Sequence, residues 1–377
     1  MATSKNALPL HLQELQTPCL LLVERAFNAN LEKMARHCAE RRIHLRPHAK
    51  THKSAAVAQA QINRGAGGVC CATLAEAELL ADAVDSILLT SPFALDRHFA
   101  RLLALNGRLN ELICVVDHPK AVAQSEKFFT AANPLDVYLD LDPGRHRTGS
   151  VIGAEAIELA HRLHEAPHLN FRGIQCYAGH LMHVSSLKER QERVDDIWAT
   201  VAAFKHELER QGVPCSTVSG GGTGSHDIDW RSNIATELQA GSYPFMDIEY
   251  ASIGWPEAKL PFEQSLFVLT TVVSANTPGF ATTDAGLKAF ATDSVPPEVL
   301  AGLAHLARYV FQGDEHGGLV FESPHVEAVT GTQLLVTPPH CDPTINLYDH
   351  MFLVDESFEI KQSFEITARS GRQYRNV

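Results

Sequence analysis

The sequence predicts an α/β protein, in which a (β/α)8 TIM barrel is joined to a second, mostly β domain. Three observations predict this fold. Eight short apolar runs alternate with longer amphipathic stretches before Gly254. Polar and glycine residues follow the ends of these runs, as at the functional face of such barrels. After Gly254-Trp255-Pro256 the pattern changes to β-rich segments.

The eight apolar runs are the predicted barrel strands. They lack strict alternation, as parallel strands covered on both faces do. An open, doubly wound sheet is the alternative that this pattern leaves open. The predicted strands are residues 43–49, 68–73, 86–91, 112–118, 135–142, 171–179, 216–221 and 235–243.

Amphipathic stretches between the strands predict the barrel helices. In the longest of them Val194, Ile197, Val201 and Phe204 recur near helical spacing. The predicted helical stretches include residues 54–64, 74–83, 120–129, 154–165 and 187–211.

The sequence pattern outside these segments predicts the second domain. Residues 297–311 are expected to form its helix, and residues 17–23 a strand of either domain. We expect the barrel to span residues 25–261 and the β-rich domain to hold 1–24 and 262–377. Its predicted strands are residues 266–274, 280–284, 319–322, 333–337 and 351–354.

Composition narrows the class of protein. The net charge of −12, from 32 basic and 44 acidic residues, argues against a nucleic-acid surface. No apolar run reaches the roughly 18 residues of a membrane span, and the first residues lack a secretory pattern. The eight cysteines show no CxxC spacing, and the neighbours Cys70 and Cys71 should point to opposite faces of a strand. We expect a reduced, cytoplasmic enzyme.

Residues 46–53, Arg-Pro-His-Ala-Lys-Thr-His-Lys, place Lys50 at the end of the first predicted strand. A lysine crowded by other cations and shielded from water loses its proton more easily. A neutral amine can form a Schiff base with a carbonyl cofactor such as pyridoxal phosphate. A basic surface loop is the alternative reading.

The segment 219–225, Ser-Gly-Gly-Gly-Thr-Gly-Ser, closes the seventh strand. Its glycines let backbone N–H groups approach an anion, and Thr223 and Ser225 add hydroxyl donors. Neither GxGxxG nor P-loop spacing is present, so a phosphate is favoured over a nucleotide. A plain tight turn is the alternative.

Other polar residues fall at the same predicted rim. Arg145 and Arg147 follow the fifth strand, and either could pair with a phenolate or carboxylate; a solvated turn is the alternative. Tyr177 ends the sixth strand and could stack on a flat cofactor, or belong to the core. His180 and His183 follow it, and Gly241-Ser242-Tyr243 closes the eighth strand.

The segment His340-Cys341-Asp342 is a candidate metal site. In an extended chain residues two apart face the same way, so His340 and Asp342 could share one ion while Cys341 faces away. An imidazole and a carboxylate suit Mn²⁺, Zn²⁺ or Co²⁺, and Mg²⁺ less well. Two protein ligands leave positions open for water or substrate. A loop without metal is the alternative, and His350 and residues 314–316 are expected to be structural or supporting.

These stretches together resemble the D-threonine aldolase and D-serine dehydratase family of fold-type III pyridoxal-phosphate enzymes, which join an alanine-racemase-like barrel to a β domain. The resemblance runs from about residue 17 to 369. It is carried by motifs in the family's order: residues 46–50, 144–149, 175–177, 219–225, 237–243 and 340–344.

The resemblance implies roles for individual residues. Lys50 would bind the cofactor covalently, Arg147 would meet its phenolic oxygen, and His183 would act as the general base. The cofactor would be pyridoxal 5′-phosphate with a divalent metal, Mn²⁺, Mg²⁺, Zn²⁺ or Co²⁺, held by His340 and Asp342. The other cofactor-binding residues would be Tyr177, Gly221, Gly222, Thr223, Gly224 and Tyr243.

The resemblance also implies a reaction and partners. Dehydratases of the family resemble His-x-Cys at the metal motif and aldolases His-x-Asp, so Asp342 favours cleavage of a small D-3-hydroxy amino acid to glycine and an aldehyde. A dehydratase acting on D-serine or 3-hydroxy-D-aspartate is the alternative, racemisation a third, and a non-catalytic cofactor carrier a different class. The chain departs from the aldolases at Ala72, where they tend to carry Gln, and between Tyr177 and His183. A homodimer is expected.

Overall fold

The computed structural model describes residues 12, 14–301, 307–323 and 328–369. The chain divides into two compact units. The first, called here the barrel unit, holds Lys33–Gly241 with residues 368 and 369. The second, called here the β unit, holds the described residues up to Glu32 together with those of Ser242–Thr367.

The helices and strands are numbered in chain order within the described residues. The strands are β1 Cys19–Val23, β2 His44–Leu45, β3 Val69–Cys71, β4 Ser86–Leu89, β5 Glu111–Val116, β6 Leu135–Asp142, β7 Ser150–Val151, β8 Leu169–Cys176, β9 Thr217–Gly220, β10 Glu237–Leu238, β11 Leu266–Thr277, β12 Phe280–Thr283, β13 Glu298–Ala301, β14 Ala307–Phe311, β15 Gly317–Phe321, β16 Gln333–Thr337, β17 His350–Val354 and β18 Ile360–Glu365. The α-helices are α1 Glu24–Arg41, α2 Ala55–Ile62, α3 Leu74–Leu80, α4 Asp96–Asn106, α5 Pro119–Ser125, α6 Ala154–Glu165, α7 Leu187–Arg210, α8 His226–Asp229, α9 Ile248–Ser252 and α10 Cys341–Ile345.

The barrel unit is built on a parallel sheet in the order β2-β10-β9-β8-β6-β5-β4-β3. Its two ends are joined by a parallel bridge between His48 and Cys70. There the Ala49 N–H donates to the Cys70 carbonyl at 2.8 Å, and the Cys70 N–H donates to the Pro47 carbonyl at 2.8 Å. These bonds close the sheet into a barrel, so the barrel prediction is confirmed and the open sheet is excluded. A strand lies within or overlaps each of the eight predicted segments.

Side chains of the barrel strands divide into an outer and an inner layer. The outer layer contains Cys71 and packs against helix residues such as Trp198 of α7. The inner layer is a strand-only cluster of Cys70, Leu88, Ile113, Val115 and Tyr138. Cys70 and Cys71 therefore face opposite sides, as predicted, and all eight cysteines are buried and free.

A buried ion-pair network also lies inside the barrel. The Arg46 guanidinium donates to Glu237 at 2.7 Å and to Glu111 at 3.0 Å. Ser219 donates to Glu237 at 2.7 Å, and Gln239 donates to Ser219 at 2.8 Å. Each buried charge is thus paired and hydrogen-bonded, which offsets the cost of removing it from water.

The β unit is built on a mainly antiparallel sheet in the order β14-β15-β12-β11-β1-β17-β18, with β16 between β11 and β13. Strands β1 and β17 pair in parallel. The core on this sheet includes Leu21, Phe267, Leu269, Leu335 and Val354. The strands predicted at residues 17–23, 266–274, 280–284, 319–322, 333–337 and 351–354 are confirmed.

The predicted helix at residues 297–311 is wrong. Strand β13 pairs with β16, and β14 pairs with β15; residues 302–306 lie outside the described part. The helix-like spacing is overridden by pairing, because Ala307–Phe311 forms an antiparallel ladder with Gly317–Phe321, in which the Tyr309 side chain is buried. Strand β18 was not predicted, since most of its side chains are exposed and its sequence is polar.

None of the described helices is both long enough and apolar enough to cross a bilayer.

Candidate active site

The predicted functional residues of the barrel unit gather at one rim. Strands β2, β10, β9, β8 and β6 are parallel neighbours, so their carboxyl ends lie on the same side. Lys50 follows β2, Gly241 follows β10, residues 221–224 follow β9, Tyr177 follows β8 and Arg147 follows β6. The topology therefore brings these residues to one edge.

Lys50 lies in a tight turn after β2. It is half-buried, and its backbone N–H donates to His48 Nδ1 at 3.4 Å. The turn packs closely on Gly241, where an added Cβ would lie 2.7 Å from Thr51 Oγ1 and 3.1 Å from the His48 carbonyl oxygen. Glycine at position 241 is what lets the two strand ends approach.

Two cationic side chains near Lys50 in sequence, Arg46 among those expected to crowd it, are paired with carboxylates. Arg46 turns into the barrel and pairs with Glu237 and Glu111. The Lys53 ammonium pairs with Glu76 at 2.6 Å. Because carboxylates neutralise both charges, neither can account for a lowered proton affinity at Lys50.

The segment 219–225, called here the glycine loop, leaves no room for side chains at its glycine positions. Gly221 has φ +67°, and a Cβ there would overlap the Asp229 carboxyl. A Cβ at Gly224 would overlap the Met182 carbonyl oxygen, and one at Gly222 would lie 2.7 Å from Met182 Sδ. The loop can therefore pack against Asp229 and Met182 only because these positions are glycine.

Two buried residues that the sequence analysis did not identify support the glycine loop. Asp229 accepts hydrogen bonds from Ser225 Oγ at 2.8 Å and Trp198 Nε1 at 3.0 Å, and burial raises its pKa to about 7. His226 Nδ1 lies 2.8 Å from the Thr223 carbonyl oxygen, and burial lowers its pKa to about 3. Both follow the loop directly in sequence, which is the signal that was available.

Arg147 and Tyr177 form a cation–π pair at the rim. The Arg147 Cζ lies 5.6 Å from the centre of the Tyr177 ring. The ring also borders the glycine loop, because a Cβ at Gly222 would lie 3.5 Å from Tyr177 Cε2. Below them, burial raises the pKa of Asp140 to about 6 despite hydrogen bonds from Gln175 and Thr148.

The two remaining predicted residues lie in different settings. His183 is exposed and follows a 3-10 turn, Gly179–Leu181, after β8. Tyr243 belongs to the β unit, where it is fully buried and its ring centre lies 5.7 Å from that of Phe262.

The metal motif lies in the β unit, at the start of a helix. His340 has an extended backbone and is the N-cap residue of α10, so Asp342 lies in the first helical turn. The expectation of a fully extended motif is therefore wrong. Cys341 is fully buried, and its backbone N–H donates to Asp247 at 2.9 Å.

Carboxylates surround the His340 imidazole. Its Nδ1 lies 2.8 Å from Asp293 Oδ2 and 3.8 Å from Glu249 Oε2. Burial disfavours the charged ring, but Asp342, the Asp293 hydrogen bond, Asp247 and Glu249 together raise the pKa of His340 above its usual value. Ser242 Oγ donates to Asp342 Oδ1 at 3.1 Å. This concentration of negative charge suits a cation.

The additional histidine and acidic candidates have other contacts. Glu315 pairs with Lys288 at 2.6 Å, and His350 Nδ1 lies 3.4 Å from Ser363 Oγ on the neighbouring strand. Neither contact involves the metal motif.

Comparison with known proteins identifies the family. The "Alanine racemase, N-terminal domain" model matches residues 24–247, and the "Putative serine dehydratase domain" model matches residues 265–354. A D-threonine aldolase of Arthrobacter sp. is 35% identical over 362 residues, covering 95% of this chain and 94% of that protein. The chain belongs to the D-threonine aldolase and D-serine dehydratase family. It is therefore a lyase.

Two further members of the family support this assignment. The 3-hydroxy-D-aspartate aldolase of Paracoccus denitrificans (strain Pd 1222) is 36% identical over 346 residues, covering 89% of this chain and 88% of that protein. The crystal structure of D-threonine aldolase from Filomicrobium marinum matches with a TM-score of 0.90 and 34% identity, covering 98% of this chain and 99% of that one.

The family's cofactor is pyridoxal phosphate, and the barrel rim fits it. The glycine loop brings main chain that lacks side chains at four of its positions to this rim, which suits a phosphate group. Tyr177 and Arg147 offer an aromatic face and a cation beside that loop. Lys50 offers an amine at the same rim.

The metal motif fits a divalent ion held by few protein ligands. Within the described residues, no group of three or more His, Cys, Asp and Glu side chains is arranged to hold a metal. One imidazole and one carboxylate, with acidic neighbours, nevertheless make a donor set that first-row divalent ions accept.

Proposed function

We propose that the chain is a pyridoxal-phosphate- and divalent-metal-dependent aldolase. It would cleave D-3-hydroxy amino acids, such as D-threonine, to glycine and an aldehyde. The metal would be Mn²⁺, Mg²⁺, Zn²⁺ or Co²⁺. The proposal draws on the similarity to two aldolases along most of the chain.

One observation carries the choice of aldolase over dehydratase, the carboxylate at position 342. Asp342 lies with His340 among acidic side chains, where an oxygen ligand favours a hard cation. A thiolate would favour softer ions, and Cys341 is instead buried at the base of the motif.

Residues of the barrel unit would bind and orient the cofactor. Pyridoxal phosphate supplies an electron sink for the electron pair of the broken Cα–Cβ bond. Lys50 would attach it, and the glycine loop would bind its phosphate through backbone N–H groups. Tyr177 would pack on its ring, while Arg147 would meet its phenolic oxygen.

His340 and Asp342 would hold the metal, which lowers the pKa of a bound hydroxyl. The hydrogen bond from His340 Nδ1 to Asp293 leaves Nε2 as the ligand atom. His183 is exposed after the 3-10 turn, and it would take the proton from the substrate hydroxyl as general base.

Product analysis tests this function. D-threonine, D-serine and 3-hydroxy-D-aspartate are each offered to the chelator-treated protein, with and without added Mn²⁺. The proposal expects glycine with acetaldehyde from D-threonine or with glyoxylate from 3-hydroxy-D-aspartate, only when metal is present. A 2-oxo acid with ammonia would instead establish the dehydratase, which the serine dehydratase domain match keeps as the second candidate.

Replacing Lys50 tests the attachment of the cofactor. Lys50→Ala should abolish both turnover and the absorbance band of lysine-bound cofactor, because no other rim amine is assigned to the aldehyde. The matched control is Lys120→Ala, at an exposed lysine on α5. A band that persists in Lys50→Ala would remove Lys50 from this role.

Replacing Asp342 tests the metal site. Asp342→Ala should retain the cofactor band but lose metal-dependent turnover by about 10²-fold or more, since half of the protein ligands are removed. Asp314→Ala, at an exposed carboxylate 3.8 Å from Lys288, controls for loss of one negative charge. Unchanged turnover of Asp342→Ala in the presence of chelator would contradict the metal proposal.

Several expectations remain predictions. These are the domain bounds at residues 25–261, the role of Tyr243 in cofactor binding, the homodimer and the cytoplasmic location. Light scattering of the purified protein would measure its oligomeric state directly.

A further inference from the structure

The Asp229 carboxyl lies directly beneath the glycine loop. It ends α8 and is fully buried by its contacts with Ser225 Oγ at 2.8 Å and Trp198 Nε1 at 3.0 Å. The loop passes so close that a Cβ at Gly221 would overlap Asp229 Oδ2. The Gly222 N–H donates both to Ser225 Oγ, at 3.2 Å, and to the Asp229 carboxyl. A carboxyl group therefore sits immediately behind the backbone that would face a phosphate.

The surroundings of this carboxyl do not compensate a negative charge. Its donors are an indole, a hydroxyl and an amide, all neutral, and the charged group facing it from α7 is Asp195, which repels it. The Cys176 thiol lines the same space, and burial raises its pKa well above the usual value. Among the described residues no basic side chain pairs with Asp229, and burial raises its pKa to about 7.

Solvent cannot supply the missing compensation. The space beside Asp229, bordered also by Met182, Trp198 and Ser225, is a cavity of about 10 Å³. Such a volume holds about one water molecule at most. An ionised carboxylate would thus be poorly solvated directly under a phosphate carrying a charge of about −2.

The hydrogen bonds of the Ser225 hydroxyl depend on whether Asp229 carries a proton. A hydroxyl has one hydrogen and two lone pairs, and one lone pair of Ser225 accepts from the Gly222 N–H. When Asp229 is ionised it can only accept, so the Ser225 hydrogen must point at it. When Asp229 carries a proton it can donate to the second lone pair of Ser225, and the hydroxyl hydrogen turns to Met182 Sδ, 3.5 Å from Ser225 Oγ.

We infer that a phosphate held in the glycine loop favours a proton on the Asp229 carboxyl behind it, so that phosphate binding takes up one proton from solvent and the Ser225 hydroxyl turns from the carboxyl to Met182. The inference rests on the proposed function, in which this loop holds the phosphate of pyridoxal phosphate. Asp229 is then a positioning residue, because it acts through its hydrogen bonds with Ser225 and the Gly222 N–H of the loop. Its folded pKa lies above the ordinary carboxyl value and rises further on binding, so the uptake occurs above pH 7.

Calorimetry on the cofactor-free protein tests the inference. The probe is pyridoxine 5′-phosphate, which has the phosphate but lacks the aldehyde that would react with Lys50. Titrations at pH 8 and pH 6, each in two buffers of different ionisation enthalpy, give the number of protons taken up. Wild type should take up nearly one proton more than Asp229→Asn at pH 8 and a negligible excess at pH 6. Its affinity should fall more steeply above pH 7, by about tenfold per pH unit.

Two variants distinguish the proton taken up by Asp229 from protons that bind elsewhere. Asp229→Asn keeps a neutral donor beside Ser225. Subtracting its proton uptake from that of wild type cancels the protons that the probe itself gains or loses. Asp227→Asn is the matched control, because it removes the same charge from a partly exposed residue of α8, 3.9 Å from Arg231. It should behave as wild type does.

The outcomes separate the two proposals. If wild type does not bind pyridoxine 5′-phosphate, both the phosphate role of the loop and the inference are overturned. If wild type binds but takes up the same number of protons as Asp229→Asn at pH 8, the inference alone fails. Should Asp229→Asn not fold, infrared difference spectra of wild type with labelled aspartate decide the matter: binding at pH 8 must convert a carboxylate into a carboxylic acid.

Discussion

The orientation of one imidazole shows how single residues prepare the metal motif. A carboxylate can only accept hydrogen bonds, so the 2.8 Å contact with Asp293 requires the proton of His340 on Nδ1. The other ring nitrogen then carries the lone pair that a metal needs. Asp293 is thereby a positioning residue for the ligand, although it is half-exposed and distant in sequence.

Removing Asp293 should therefore weaken metal binding. For Asp293→Ala we expect the affinity for Mn²⁺ to fall by about 10- to 100-fold, the usual effect of losing such a partner. Asp293→Asn retains an acceptor and should recover part of the loss. Direct titration of the chelator-treated protein with Mn²⁺ measures this without reference to activity. Equal affinities in wild type and Asp293→Ala would show that the hydrogen bond does not orient the ring.

At this scale the sequence predicted residues that lie within motifs and missed those that lie outside them. Lys50, Arg147, Tyr177 and the glycine loop were predicted as site residues because they end or follow predicted strands, and the structure places them at one rim. Asp293 lies 47 residues from His340, and no local pattern marks it. The carboxylates that pair with Arg46 also lie far from it in sequence, so no local pattern indicated them. Arg46 was therefore expected to crowd Lys50.

The glycine loop shows what one element demands of its sequence. Gly224 meets the main chain of Met182 rather than a movable side chain, so a larger residue must displace backbone. Gly67, by contrast, has open space where a Cβ would be. The two glycines therefore differ in what they tolerate although both lie in connecting segments of the barrel unit.

We expect Gly224→Ala to destabilise the barrel unit and to abolish phosphate binding. Forcing a methyl group against the Met182 carbonyl should cost about 1–3 kcal/mol of folding free energy. Gly67→Ala is the matched control and should leave both properties within error. Urea unfolding and cofactor titration of the two variants measure the difference. A Gly224→Ala protein that binds the cofactor as wild type does would show that the close packing of Gly224 on Met182 is not needed for phosphate binding.

Elements were predicted well where their own sequence decides them. Short apolar runs identify β3 to β6 and β8, since strands covered on both faces contain little else. Strands β13 and β14 read as a helix because their partners, β16 and β15, are supplied by later parts of the chain. Pairing of this kind is tertiary information, and single-segment periodicity does not contain it.

At the scale of the whole molecule, the reactivity of the cysteine thiols indicates whether the structure has opened. All eight cysteines are buried and free, in both units. Burial raises the pKa of Cys19, Cys38 and Cys215 to about 12, so the reactive thiolate is scarce even where a reagent could enter.

A disulfide reagent such as DTNB should consequently label the native protein very slowly. All eight thiols should react at once in strong denaturant, and the native rate should follow the opening of the structure. Spectrophotometric counting of released thiolate at neutral pH measures both. Rapid labelling of one or more thiols in the native protein would show that a cysteine is accessible.

The closure of the barrel between β2 and β3 has one more consequence. This seam rests on the His48–Cys70 bridge and lies beside Pro47, which has no N–H to contribute. A ligand attached to Lys50 and bound by the glycine loop after β9 would connect two positions on either side of β10. Because Lys50 directly follows Ala49, whose N–H donates to Cys70 across the seam, loading the protein should then slow amide hydrogen exchange at Ala49 and Cys70 and so stabilise the closure of the barrel.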